Sequence, residues 1–269
     1  MVRLLPIVEQ LAGKNDARRS FIIYEYLQSL GLKPQFQNFG TGNYSNMVVD
    51  FPGPDPARKK VLLTSHYDAV PGSPGANDDA SAVAVLLGVA ALYYTKAAPV
   101  PVRLIFFDGE EAGLLGSKAY VQQQGIEDVA AVLNMELVGE GSIPAFWPHT
   151  RQSEHYHALL RESSPDAHFL RYAPGHSGDH QPFLDAGVHD SICLSLVCER
   201  DRGDLQDIIR RLERPTMLDP FIIMTKINSS KTFKHYHERS DTITHIRENS
   251  LQQALGIARK VIENYDGQS

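Results

Sequence analysis

Apolar residues recur at helical spacing through the first thirty positions: Leu4, Leu5, Val8 and Leu11, then Phe21, Ile22, Tyr24, Leu27 and Leu30. The pattern predicts a helical N-terminal segment that Gly31 stops. Two β-rich runs follow, NMVVDF and VLLTSHYD, on either side of the turn-rich PGPDPARKK. They predict an antiparallel hairpin at one sheet edge. From there the pattern alternates. SAVAVLLGVAALYY predicts a buried helix, VRLIFFDGEE a buried strand, LLGSKAYVQQQG a helix and VAAVLNMELVG another strand. DSICLSLV predicts a further strand, and LQQALGIARKVIENY an amphipathic helix that closes the chain. Short, nearly continuous apolar strands between helices predict an α/β fold with a largely parallel sheet covered on both faces.

Residues 199–231 break this rhythm with a charged stretch, ERDRGDLQDIIRRLERPTMLDPFIIMTKINSSK, that contains one short amphipathic helix. It ends in an exposed-looking apolar patch of Phe221, Ile222, Ile223 and Met224. The segment reads either as a surface excursion packed on its own core or as a lid, specificity wall or subunit contact. The 269 residues suit one large α/β domain spanning 1–269, with this excursion inserted. Neither an internal repeat nor a low-complexity tract is present.

Composition narrows the function classes. A net charge of −6 argues against non-specific nucleic-acid binding, which needs an excess of Lys and Arg. No apolar run approaches the roughly 18 residues that span a bilayer. MVRLLPIVEQLAGKNDARRS carries charges every few residues and reads as a first helix, not a secretion signal. Cys193 and Cys198, five residues apart in SICLSLVC, read as plain buried thiols unable to bridge or to build a thiolate metal site. They favour a reducing cytoplasm; a secreted form whose leader had been removed would present the same sequence. Subunit number is left open.

Ligands of open parallel sheets bind beyond the carboxyl ends of the strands, and unusual polar residues collect there. His66, Tyr67 and Asp68 follow VLLTS; Asn77, Asp78 and Asp79 open a helix; Asp108, Gly109, Glu110 and Glu111 follow VRLIFF. Glu136 ends AAVLNM, and Tyr236 and His237 lie near the C-terminus. Taken singly each has a bland reading: an Asp that fixes a His ring, an Asp pair that caps a helix, a solvated glutamate pair. Glu110 and Glu111, however, directly follow a buried strand, where unpaired charge is costly and a cation would remove the cost. Hard oxygens and imidazoles with no thiolate suit zinc or another divalent first-row metal.

The segments HYDAVPGSPGANDDASAVAVL, FFDGEEAGLLGSKAY, LNMELVG, GDHQPFLDAGV and HYHERSDT occur in the order found in M28 co-catalytic zinc aminopeptidases, which the chain resembles from about residue 45 onward. The resemblance implies a phosphorylase/hydrolase-like three-layer α/β sandwich with a central mixed, mostly parallel sheet. It also implies two zinc ions per chain, His66 and Glu136 holding one, Glu111 and His237 the other, and Asp78 bridging both. Asp68 would orient His66. Glu110 would be the general base for a zinc-bridged hydroxide, Tyr236 would hydrogen-bond the developing oxyanion, and the Asp78–Asp79 peptide would be cis. Asp179 and His180 would line the substrate pocket or brace it. One position departs: Glu136 stands where many members carry aspartate, and its extra methylene changes the carboxylate's reach.

Other histidines have plainer readings. His155 and His157 fall about 200° apart on a helix and are expected to be solvated. GHSGD, residues 175–179, lacks the last glycine of a nucleophile elbow and a preceding apolar strand. H-E-x-x-H is absent. Extended alternation would put His235 on the face of His237 as a fallback ligand; His245 has no assigned role. The expected activity is an aminopeptidase of broad or hydrophobic preference that takes peptides with a free N-terminus, with Glu110 and Glu136 near the amine. The principal alternative is glutaminyl cyclase, whose D-H-x-P-F-L loop is close to GDHQPFLDAGV but which tends to carry Trp where Tyr236 stands. A carboxypeptidase or dipeptidase lacks an evident arginine for the terminal carboxylate. A metal-free binding homologue would leave its buried carboxylates repelling one another.

Overall fold

The computed structural model describes residues 2–41, 43–148, 152–171, 177–213 and 216–266. Its strands are β1 (Gln35–Phe39), β2 (Tyr44–Phe51), β3 (Lys60–His66), β4 (Val102–Phe107), β5 (Val129–Met135), β6 (Ile143–Trp147), β7 (His168–Phe169) and β8 (Ser191–Val197). They form one mixed sheet in the order β1-β2-β4-β3-β5-β8-β6-β7. The centre, β4-β3-β5-β8, is parallel, while β2 joins β4 and β6 joins β8 antiparallel.

Alternation along each central strand supplies both faces of the sheet. Val61, Leu63, Leu104, Phe106 and Leu133 join the larger core under α1 (Leu5–Leu11), α2 (Asp16–Ser29), α3 (Ala80–Tyr93), α5 (Glu154–Ser163) and α9 (Glu248–Asn264). Leu62, Ile105, Phe107 and Val132 join the smaller core with Tyr120 of α4 (Leu115–Gln124) and Phe183 of α6 (Gln181–Ala186). Helix α3 is apolar on nearly every face because it packs on β3, α1 and α9 together.

The expected hairpin between NMVVDF and VLLTSHYD does not form. Strand β4 lies between them, with Val48 opposite Ile105 on one side and Leu63 beside Leu104 on the other. The physical reason is burial: β3 is apolar through its length and needs a neighbour on each side, β4 and β5. The eight-residue connection, 52–59, is long enough to step over one strand. The hairpin that does form pairs β1 with β2, Phe39 facing Tyr44.

The excursion at 199–231 holds two helices where one was expected, α7 (Arg202–Glu213) and α8 (Asp219–Ser229). They share a small core of Ile208, Ile223 and Ile227, with Leu170, Leu212 and Phe233 against it. Of the apolar patch only Phe221 is strongly exposed, and Ile223 is buried. Both cysteines are buried and free. No described helix is long and apolar enough to cross a membrane.

Candidate metal centre

Strands β3, β4 and β5 end on the same edge, and the polar residues that follow them meet there. His66 closes β3. Its Nδ1 faces the Asp68 carboxylate at 3.4 Å, and its Nε2 lies 3.2 Å from Asp78 Oδ1. The other Asp78 oxygen is 3.4 Å from His237 Nε2, which is itself 3.1 Å from Glu111 Oε2. One carboxylate therefore sits between two imidazoles that are 171 positions apart in the chain. His237 adopts a left-handed backbone, φ 60°, that costs a non-glycine residue about 1–2 kcal/mol. The Asp78–Asp79 peptide is cis, as the resemblance implies.

Asp68 organises two segments at once. Besides facing His66, its oxygens accept the backbone N–H groups of Glu110 at 3.1 Å and Glu111 at 3.0 Å. Those amides can turn back toward it because Gly109, at φ 70°, reverses the chain just after β4. Two sets of potential ligand atoms lie within 4.8 Å of one another around this point: His66, Glu110 and Glu111, and Asp78, Glu111 and His237. Glu136 belongs to neither set. Its Oε1 accepts Asn134 Nδ2 at 2.7 Å, and its charge acts on the same centre through Asp179 and Asp78.

Electrostatics follow from this crowding. Burial first, then neighbouring carboxylates, push the acids of Glu110 and Glu136 above their ordinary values. Burial likewise raises Asp179. Asp68 is held below the usual carboxylate range by His66 and the two amides, against its burial. The Tyr236 hydroxyl is raised by burial and by Asp78, Glu136, Glu110 and Glu111, so it remains a donor at neutral pH. Its ring stacks on His237, 3.7 Å between centroids.

A cleft of about 80 Å³ opens beside Glu136 and Tyr236. Its walls are Trp147 of β6, Val197 of β8, Leu205 and Ile208 of α7, Ile227 of α8, and Phe233. Asp179 and His180 do not line it. Both are fully buried; His180 packs edge-on against Trp147 at 5.1 Å, and burial lowers its pKa to about 3. In the same loop, Gly178 presses on Glu136, since a Cβ there would fall 2.1 Å from Oε1.

Several histidines depart from expectation. Residues 231–237 form turns, so alternation does not govern His235. It bonds Ser240 Oγ at 2.8 Å and stacks on His245 at 3.9 Å, 17° from parallel, beside Glu140. Rings stacked face to face cannot aim their in-plane lone pairs at one ion, and Lys231 stands 3.9 Å from the Glu140 carboxylate. His155 and His157 are half-buried, not solvated; the first meets Asp266 at 2.5 Å and the second packs on Phe169 at 4.3 Å. Of GHSGD, Gly175 and His176 lie outside the described residues.

The sequence model of peptidase family M28 matches residues 46–262, most of the chain and all of the edge described above. The chain belongs to peptidase family M28. Aminopeptidase YwaD of Bacillus subtilis is 29% identical over 203 residues, covering 72% of this chain and 38% of its own length. The structure of BSAP, a zinc aminopeptidase from Bacillus subtilis, superposes with a TM-score of 0.61 at 26% identity, over 81% of this chain and 49% of that one. This chain thus spans less than half of either relative. A glutaminyl cyclase from Bacteroides thetaiotaomicron superposes with a TM-score of 0.70 over 98% of this chain and 97% of its own, at 16% identity, which shows the M28 chain's fold alone.

Sequence reasoning missed the residues that support the centre. Asn134, a buried amide inside an apolar strand, was a signal that could have been used. Asp241 lies within HYHERSDT, and its carboxylate accepts the amides of Asn77 at 2.8 Å and Asp78 at 3.1 Å. Arg19 gave no local signal at all.

Proposed function

We propose that this M28 chain is an aminopeptidase that holds two zinc ions on His66, Asp78, Glu111, Glu136 and His237 and releases N-terminal residues of peptides. One observation carries the reading: Asp78 stands between His66 and His237 with one oxygen toward each Nε2, at 3.2 and 3.4 Å. The residues fit the metal. His66 turns Nδ1 toward Asp68, which leaves Nε2 as the ligand nitrogen. Glu111 Oε1 is buried without a hydrogen-bond partner among the described residues. Carboxylates this close and this buried repel one another unless cations lie among them. Imidazole and carboxylate donors are zinc's ordinary oxygen and nitrogen set.

Paired cations at such a centre lower the pKa of water and polarise the scissile carbonyl. Glu110 takes the proton from the attacking water and returns it to the leaving amine. Tyr236 donates its hydroxyl proton to the carbonyl oxygen as charge develops there. Glu110 and Glu136 face the substrate's free ammonium. The side chain of the residue being released enters the apolar cleft walled by α7 and α8, which acts as a specificity wall and favours large apolar residues.

A panel of aminoacyl anilides, with and without chelator, tests the proposal. Chelator-sensitive release of large apolar residues, restored by zinc, is the expected result. Formation of pyroglutamate from an N-terminal glutamine peptide, with no anilide hydrolysis, would replace it with the cyclase reading.

A further inference from the structure

Arg19 is a fully buried arginine on α2, outside the residues matched to family M28, and among the described residues it makes no hydrogen bond to a carboxylate. Its three nitrogens each donate to backbone carbonyls: Nε to Lys14 at 3.1 Å, Nη1 to Tyr67 at 3.2 Å, and Nη2 to Pro74 at 2.7 Å and Gly75 at 3.0 Å. Tyr67 lies between His66 and Asp68, and Gly75 lies three residues before Asp78. One guanidinium therefore ties together the two loops that bring the His66 and Asp78 side chains into contact. Gly75 is shaped to it. The residue sits at φ 58°, and a Cβ there would fall 2.4 Å from Arg19 Nη2 and 2.7 Å from the Asp78 carbonyl. From the opposite side, Asp241 grips the amides of Asn77 and Asp78.

A buried charge is costly unless something offsets it. Here the offset comes from the fields of Asp16, Asp78, Asp241 and Asp68. The rigid, planar fork reaches three separate segments at once, a geometry that a lysine ammonium on a flexible stem does not reproduce.

We infer that Arg19 is a positioning residue for the metal centre: it sets the separation of the His66 and Asp78 loops, so the N-terminal helix α2 is a working part of the site. The inference rests on the two-metal reading above. Charge and geometry make opposite predictions, which separates them. A cation acting only through its field would oppose metal uptake, and its removal would tighten binding. A clamp would weaken metal retention when lost.

The test uses the full chain carrying cobalt in place of zinc, and compares wild type with R19K, R19Q and G75A. Retention is read by chelator competition, ligand geometry by the visible absorption bands of cobalt, and folding by circular dichroism. R19K keeps the charge but loses the fork; G75A displaces the fork while keeping the arginine. Both are expected to remain folded, to hold metal about 10- to 100-fold more weakly and to shift the cobalt bands. Their loss of turnover should fall on kcat more than on KM. Wild-type retention and spectrum in folded R19K, or tighter binding in R19Q, would overturn the assignment. If R19K fails to fold, G75A decides by the same measurements. Wild type that takes up no cobalt would instead overturn the two-metal reading itself.

Discussion

At position 136 the carboxylate is one methylene longer than aspartate, and its surroundings match that length. Thr64 Oγ1 donates to Asn134 Oδ1 at 2.7 Å, Asn134 Nδ2 donates to Glu136 Oε1 at 2.7 Å, and Gly178 leaves the space the carboxylate occupies. Oε1 thus accepts a hydrogen bond, and on the proposed reading Oε2 would be the oxygen that meets a metal. G178A would set a Cβ 2.1 Å from Oε1. It is expected to lower zinc affinity about tenfold or more by displacing the carboxylate; chelator competition that finds affinity unchanged would remove Glu136 from the ligand set. Glu110 invites the complementary experiment. Glu110→Gln keeps shape but cannot accept a proton, so turnover should fall by roughly 10²–10⁴ with bound zinc unaltered. Metal analysis showing zinc lost along with activity would make Glu110 a ligand, as its grouping with His66 and Glu111 would allow.

Among the elements, the α7–α8 pair is the one on which the proposed specificity wall rests. Amphipathic spacing made α7 legible, whereas α8 was hidden by its mixed apolar face, of which Ile223 and Ile227 turn inward and Phe221 outward. Leu205 of α7 is buried at the cleft wall but lies outside the small core that joins the two helices. Leu205→Trp should therefore fill the cleft while leaving that core intact. Relative kcat/KM for leucyl over alanyl anilide is expected to drop by about tenfold or more, the scale at which apolar pockets discriminate. An equal loss on both substrates would mean that the cleft does not receive the side chain. The strands missed in the sequence were the short peripheral ones. β1 is mostly polar with its two phenylalanines three positions apart, β6 carries a proline, and β7 has two residues, so none offers a periodic run long enough to read.

For the molecule as a whole, one buried histidine should shape acid stability. Burial lowers the folded pKa of His180 from the ordinary 6.5 to about 3. Between those values the unfolded chain binds a proton that the folded chain refuses, so stability falls as pH drops from 6.5 toward 3. Above 6.5 the group contributes no pH dependence. His180→Phe should remove up to about 1.4 kcal/mol per pH unit of that slope; denaturation midpoints from pH 7 to 4 would show it as a flatter curve than wild type. Identical slopes would mean that His180 takes up its proton in the folded state.

Which of the central segments are helix or strand, and which donors follow the central strands, could be read from the sequence alone. Both are local facts: burial imposes a period of two or of about 3.6, and a charged residue next to an apolar run is visible without any fold. The order of strands was not local. β4 enters between β2 and β3 because β3 must be covered on both edges, and that insertion brings Asp68 under the amides of Glu110 and Glu111. Arg19, Asn134, Gly178 and Asp241 likewise acquire meaning only through neighbours distant in the chain. Hydrogen bonds and close approaches depend on separations of a few ångströms, which only the folded chain sets.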